Sequence, residues 1–165
     1  MFHLPVSARA VKFALVVAAA LAASACAKNG DEAGQFGAGA GAPGSQQDFA
    51  ANVGDRVFFE TDSSELTPTA QATLSKQAAW LSRYANYSFT IEGHADERGT
   101  REYNFALGAR RAQATHDYLV SKGISASRMR TVSYGKERPV ATCDDISCWS
   151  QNRRAVTVLS GAPAS

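Results

Sequence analysis

Residues from about 54 to 160 predict an α/β (α+β) two-layer sandwich. Three observations carry that expectation. Short stretches rich in β-branched and aromatic residues alternate with stretches of helical period, in the order βαβαβ(α)β. Cap and turn residues stand where that order needs them. The remaining length, about 110 residues, suits one domain with one modest core.

Each element has its own justification. Arg56-Val57-Phe58-Phe59, just after Gly54, reads as a short strand. Thr67 is suited to cap a helix. Pro68 is favoured at its first position, where a missing N–H costs nothing. Leu74, Ala78, Trp80 and Leu81 give that helix its apolar face, which makes Trp80 a core anchor. Tyr87 to Gly93 alternates as a strand does. After Gly99 and Thr100 a long helix runs to about Ser121, and Gly123 is placed to stop it. Phe105, Gly108, Ala112, Thr115 and Leu119 recur at helical spacing and are expected to face the sheet. Asn104, Leu107 and Arg111 form an adjoining stripe. Arg130 to Gly135 and Arg154 to Leu159 read as the last two strands, with a short helix between them around Trp149 to Asn152.

The chain has 165 residues and a net charge of +2, from 17 Lys and Arg against 15 Asp and Glu. Basic residues are scattered among acids, which argues against a nucleic-acid partner. The N-terminus is different. Arg9 and Lys12 precede an apolar run from Phe13 to Leu21, followed by small residues to Ala25. This is the grammar of an export signal, and the run is too short for a hydrocarbon core that needs about 20 apolar residues. Four segments follow: a signal peptide over 1–25, a flexible tether over 26–53, the folded domain over 54–160 and a tail over 161–165. The tether is rich in Gly, Ala, Ser and Gln and lacks periodicity. Roughly 25 such residues span about 25–30 Å as a coil and about 85 Å when stretched.

Ala23-Ser24-Ala25-Cys26 resembles the lipobox of bacterial lipoproteins. The resemblance implies a thioether diacylglycerol on Cys26 and an acyl chain, such as palmitate, on its new amino terminus. No other cofactor is expected. It also implies that Lys28, two residues after the cysteine, favours the outer membrane. Cys143 and Cys148 stand close together, and in an oxidising periplasm a disulfide is expected. Free thiols and a metal pair are the alternatives; a metal needs two further ligands, and no second Cys/His pair has suitable spacing.

The segment from Gly93 to Asn104 follows a strand and opens a helix, where α/β proteins commonly place their sites. With its neighbours it carries a strong resemblance. Phe58 to Asp62 with Pro68, Gly93 to Asn104, Ser133 to Pro139, and Asn152 to Val156 together resemble the peptidoglycan-associated lipoproteins with an OmpA-like C-terminal domain. Gly108 and Thr115 depart from the Ser and Val of the family's helix motif. The resemblance implies a four-stranded mixed sheet with helices on one face. It also implies non-covalent binding of the diaminopimelate in the peptidoglycan stem peptide. Asp96 then takes the ligand's ammonium. Arg111 takes a carboxylate, for which its planar fork is suited. Thr61 and Asp62 supply further contacts, and Leu107 an apolar wall.

Other readings stand beside these. Asp96 and Arg111 also fit an internal ion pair bracing the loop. Glu97 and Arg98 also fit solvated loop charges, and Asn104 fits a loop-to-helix hydrogen bonder. His94 is expected to be packed rather than ligand-binding. The His94-x-Asp96-Glu97 run admits a wall hydrolase, but no Gly-x-Ser-x-Gly, His-Glu-x-x-His or zinc-ligand set accompanies it. A non-enzymatic protein is the expectation. By the same resemblance its partners are TolB and the Tol complex, serving envelope integrity and constriction at cell division; a protein-docking module is an alternative.

Overall fold

The computed structural model describes residues 41–161. The signal peptide, Cys26, the first part of the tether and residues 162–165 lie outside the described residues. Four strands form one sheet: β1 (Arg56–Phe58), β2 (Ser88–His94), β3 (Met129–Gly135) and β4 (Arg154–Ser160). Their spatial order is β1-β4-β2-β3. β4 runs antiparallel to both β1 and β2, whereas β2 and β3 are parallel, so the sheet is mixed. The parallel pair requires a crossover, which a long helix supplies.

One face of the sheet is covered. Val57, Phe89, Ile91, Ala155 and Leu159 point inward, while Phe58 and Val158 on the alternate positions are exposed. The cover consists of two helices. α2 (Pro68–Arg83) begins with Thr67 accepting from the Ala70 N–H at 3.1 Å, and buries Leu74, Ala78, Trp80 and Leu81. α3 (Arg101–Ser121) begins with Thr100 accepting from the Tyr103 N–H, and lies over β2 and β3. Gly123, at φ 90°, ends it in a conformation that a side chain disfavours.

Two expectations differ from the structure. Phe105 does not face the sheet; it is 58% exposed, while Asn104, Gly108, Arg111, Ala112, Thr115 and Leu119 are buried. The reason is a glycine contact. A Cβ on Gly93 would collide with the Gly108 carbonyl, and one on Gly108 would meet the Ser133 hydroxyl and the Gly93 carbonyl. The helix is drawn onto β2 at that point, and this fixes its rotation so that Phe105 swings outward. The Gly108 departure from the family's Ser is thus used for close packing.

The second difference concerns the tether's end. Residues within 44–53 are folded: Ser45 caps α1 (Gln46–Asp48), which continues as a π-helical turn over Phe49–Val53. Phe49 is 1% exposed and packs on Trp80 at 4.9 Å between ring centroids. Asp48 accepts from the Trp80 indole N–H at 2.9 Å, and the Tyr87 hydroxyl donates to the Gly44 carbonyl at 2.8 Å. One aromatic in a polar, glycine-rich segment was enough to anchor it, so the folded part starts near residue 44 rather than 54.

Candidate functional site

Asp96 lies two residues beyond the end of β2 and is buried. Its Oδ1 accepts from the Arg98 backbone N–H at 3.2 Å and from Arg98 Nε at 3.1 Å. Its Oδ2 accepts from Arg98 Nη2 at 2.7 Å and Arg153 Nη1 at 3.5 Å. Burial alone would raise its pKa. The hydrogen bonds and charge of Arg98, with Arg153, outweigh that and hold the carboxyl below its ordinary value. It is an anion at neutral pH.

Arg111 comes from α3 and is fully buried. Its guanidinium donates to three backbone carbonyls: Ser63 at 2.8 Å, His94 at 2.8 Å and Glu60 at 3.1 Å. Burial, then the nearby Arg153 charge, pushes its pKa down to about 10, which leaves it cationic at neutral pH. Asp96 and Arg111 do not bond each other; the acid's partners are Arg98 and Arg153. The internal-pair reading therefore fails, and Arg111 instead ties the turn after β1 to the end of β2.

That turn brings up Thr61 and Asp62, both exposed. Asp62 has φ 58°, a left-handed conformation that Asp tolerates better than most residues. It accepts a hydrogen bond from the Tyr103 hydroxyl. Asn104 is buried and donates to the Arg98 carbonyl at 2.7 Å, joining loop to helix. Leu107, one turn further along α3, is buried beside it.

These residues enclose one cavity of about 260 Å³, lined by Thr61, Asp62, Asp96, Arg98, Gly99, Tyr103, Asn104, Leu107 and Arg111. All seven residues expected in the binding site line it. Tyr103 and Gly99 were missed, although both stand inside the same signature segment. Arg153 was missed too: the Asn152-Arg153-Arg154 run marks the start of a strand, and nothing local says that its middle residue reaches Asp96. Two wider clefts exist, one of about 550 Å³ beside Phe105 and Tyr134 and one of about 610 Å³ beside β1. Size ranks them higher, but neither gathers a buried acid with opposed guanidiniums.

His94 does not line the cavity. It is 1% exposed, its ring lies 3.6 Å from Glu92, and its pKa falls to about 4 through burial and then the Arg154 and Arg138 charges. It is a packed, neutral histidine. Cys143 and Cys148 are joined in a disulfide just before and within α4 (Ile146–Asn152).

Residues 58–153 match the model of the OmpA family. A peptidoglycan-associated lipoprotein of Rhizobium meliloti is 69% identical over 92% of this chain and 88% of its own. The chain belongs to the peptidoglycan-associated lipoproteins of the OmpA family. Another member, from Agrobacterium fabrum, is 67% identical over 90% of this chain and 86% of its own. Among solved structures, the peptidoglycan-associated lipoprotein of Burkholderia pseudomallei superposes with a TM-score of 0.63 at 42% identity, covering 64% of this chain and 90% of that one. The C-terminal domain of Helicobacter pylori MotB has a TM-score of 0.62 at 20% identity, which speaks for the shared OmpA-like fold alone. Among the described residues, no helix of this family member is long and apolar enough to cross a membrane.

Proposed function

We propose that this lipoprotein is a non-enzymatic linker: Cys26, carrying diacylglycerol and an N-acyl chain, holds it in the outer membrane, and its periplasmic domain binds peptidoglycan without covalent bonds. Several buried acyl chains anchor stably where one does not. The ligand is the diaminopimelate of the stem peptide. One observation carries this reading: an ionised, buried acid and a buried guanidinium line the same small cavity as the apolar Leu107. The lining carries two carboxylates, Asp62 and Asp96, and two guanidiniums, Arg98 and Arg111. Such a balance suits a zwitterion better than a simple anion or cation.

Each group has a task. Asp96 accepts from the ammonium. Arg111 has five N–H groups, of which three serve backbone carbonyls, which leaves two to donate to the ligand's carboxylate. Leu107 packs along the ligand's methylene chain, Thr61 and Asp62 bond its polar rim, and Asn104 holds the Arg98 loop in place. In the envelope the domain serves the Tol–Pal system, with TolB as its protein partner, and the tether lets the outer membrane follow the wall during constriction.

The test is co-sedimentation of the purified full chain with peptidoglycan. Removing one partner from a part-buried charged contact costs about 2–5 kcal/mol, so Asp96→Asn and Arg111→Ala should each weaken binding well over tenfold. Melting curves identify any variant that has lost its fold. Folded variants that still sediment like the parent would refute the site, and new muropeptides released during the incubation would turn the reading toward a hydrolase.

A further inference from the structure

The acid of the cavity is held from behind by α4. Trp149, on that helix, donates its indole N–H to the Glu97 carboxylate. The Arg98 guanidinium lies over the Trp149 ring, 4.1 Å from its centroid, while its other side engages Asp96. Arg98 is thus gripped on two sides although its side chain is 40% exposed. The residue that caps this helix, Arg153, donates to Asp96 and to the Phe59 carbonyl. Asn152 fastens it to the preceding loop through Val140 and Ala141.

α4 has only seven residues, and an isolated helix of that length is not stable in water. Its first turn lies inside the loop closed by Cys143–Cys148, with Cys148 buried on the helix and Cys143 exposed. The disulfide therefore fixes the first turn of α4 through Cys148, the residue directly before Trp149.

We propose that Trp149 is a positioning residue for the diaminopimelate site, holding Arg98 against Asp96, and that the Cys143–Cys148 disulfide sets the site's affinity by fixing Trp149. This rests on the ligand reading given above. Without the indole, Arg98 swings into solvent, and the cavity must order it again each time a ligand binds. A dithiol reductant would have the same effect through exchange: its two thiols become a disulfide while Cys143 and Cys148 become thiols. The site would then be weaker in a reduced protein than in an oxidised one.

Calorimetric titration of the full chain with synthetic L-Ala-γ-D-Glu-meso-diaminopimelate tests this. A cation over an indole at a part-desolvated site is worth about tenfold in affinity, so Trp149→Ala should weaken binding by roughly that factor, and Trp149→Phe should restore most of it. Dithiothreitol, or the pair Cys143→Ser and Cys148→Ser, should shift affinity in the same direction. In an Arg98→Ala background none of these changes should matter further, because each acts through Arg98. An equal loss with and without Arg98, or no loss at all, would overturn the positioning role. A parent chain that ignores the tripeptide yet sediments with whole peptidoglycan would instead overturn the ligand assignment, and the positioning role with it.

Discussion

His94 and Arg111 meet at one backbone carbonyl, and they show opposite ways of burying a basic side chain. Arg111 keeps its charge because three carbonyls receive its N–H groups, with the Phe59 ring 5.2 Å away. His94 has no hydrogen-bond partner on either ring nitrogen and gives up its charge. Glu92 favours the imidazolium, but burial with Arg154 and Arg138 prevails. The consequence is a pH dependence of stability. In the unfolded chain the imidazole takes a proton near its ordinary pKa of 6.5, whereas in the folded protein it does so only near 4. Above pH 6.5 the two states bind equally few protons at this site, and stability is unaffected. Between 6.5 and 4 the unfolded state binds more, so stability falls as pH drops, by on the order of 3 kcal/mol in all. Urea unfolding measured at pH 7.5, 6 and 4.5 checks this. His94→Gln should flatten that part of the profile, and an unchanged slope would assign it to other groups.

At the scale of elements, the contact between α3 and β2 decides the geometry of the site. Asn104, Leu107 and Arg111 reach the cavity because the helix is seated on Gly93 through Gly108. Gly93→Ala places a methyl group against the Gly108 carbonyl, which is backbone and has no rotamer to yield. Overpacking of this kind costs about 1–3 kcal/mol or more, so the variant should melt several degrees lower. Lifting α3 also moves Arg111 from Asp96's side of the cavity, so a folded Gly93→Ala chain should sediment less with peptidoglycan; parent-like melting and binding would show that the contact is slack. The same contact explains what sequence could and could not reveal. Strands, helix caps and the Gly123 stop were legible because period-two and period-3.6 patterns and turn residues act locally. The seven residues that share the cavity lining could be picked out because they stand in short motifs that resemble the family's. The rotation that exposes Phe105 was not, since small and apolar residues on α3 fit two adjacent stripes until the glycine contact selects one. The reach of Arg153 to Asp96 was also not legible, and Trp149 reads as a core or loop anchor in sequence without its partner being named. The two side chains meet Asp96 and Glu97, 57 and 52 residues away in sequence, and only the folded sheet brings them together.

The whole molecule is proposed to work as a link between two layers, and a link requires both ends. The packing of Gly44 to Val53 onto Trp80 and Tyr87 moves the domain's attachment point toward the N-terminus. From Cys26 to Gly44 there are 18 residue steps, against 28 to Gly54. At about 3.3–3.6 Å per residue, ten fewer steps shorten the stretched ceiling by about a third. That segment packs on Trp80 and Tyr87, neither of which lines the cavity. Binding at one end should therefore be separable from anchoring at the other. Cys26→Ser should abolish recovery in the outer-membrane fraction, because no acyl chain can be attached, while its purified domain sediments with peptidoglycan as the parent does. Asp96→Asn should do the reverse: membrane fractionation is unchanged and peptidoglycan sedimentation is lost. Fractionating both variants from cells, with the double variant as the control that loses both, tests the pair of attachments at once. If Cys26→Ser still fractionates with the outer membrane after the wall has been digested by lysozyme, the lipid is not the anchor, and the protein holds the membrane by its folded surface instead.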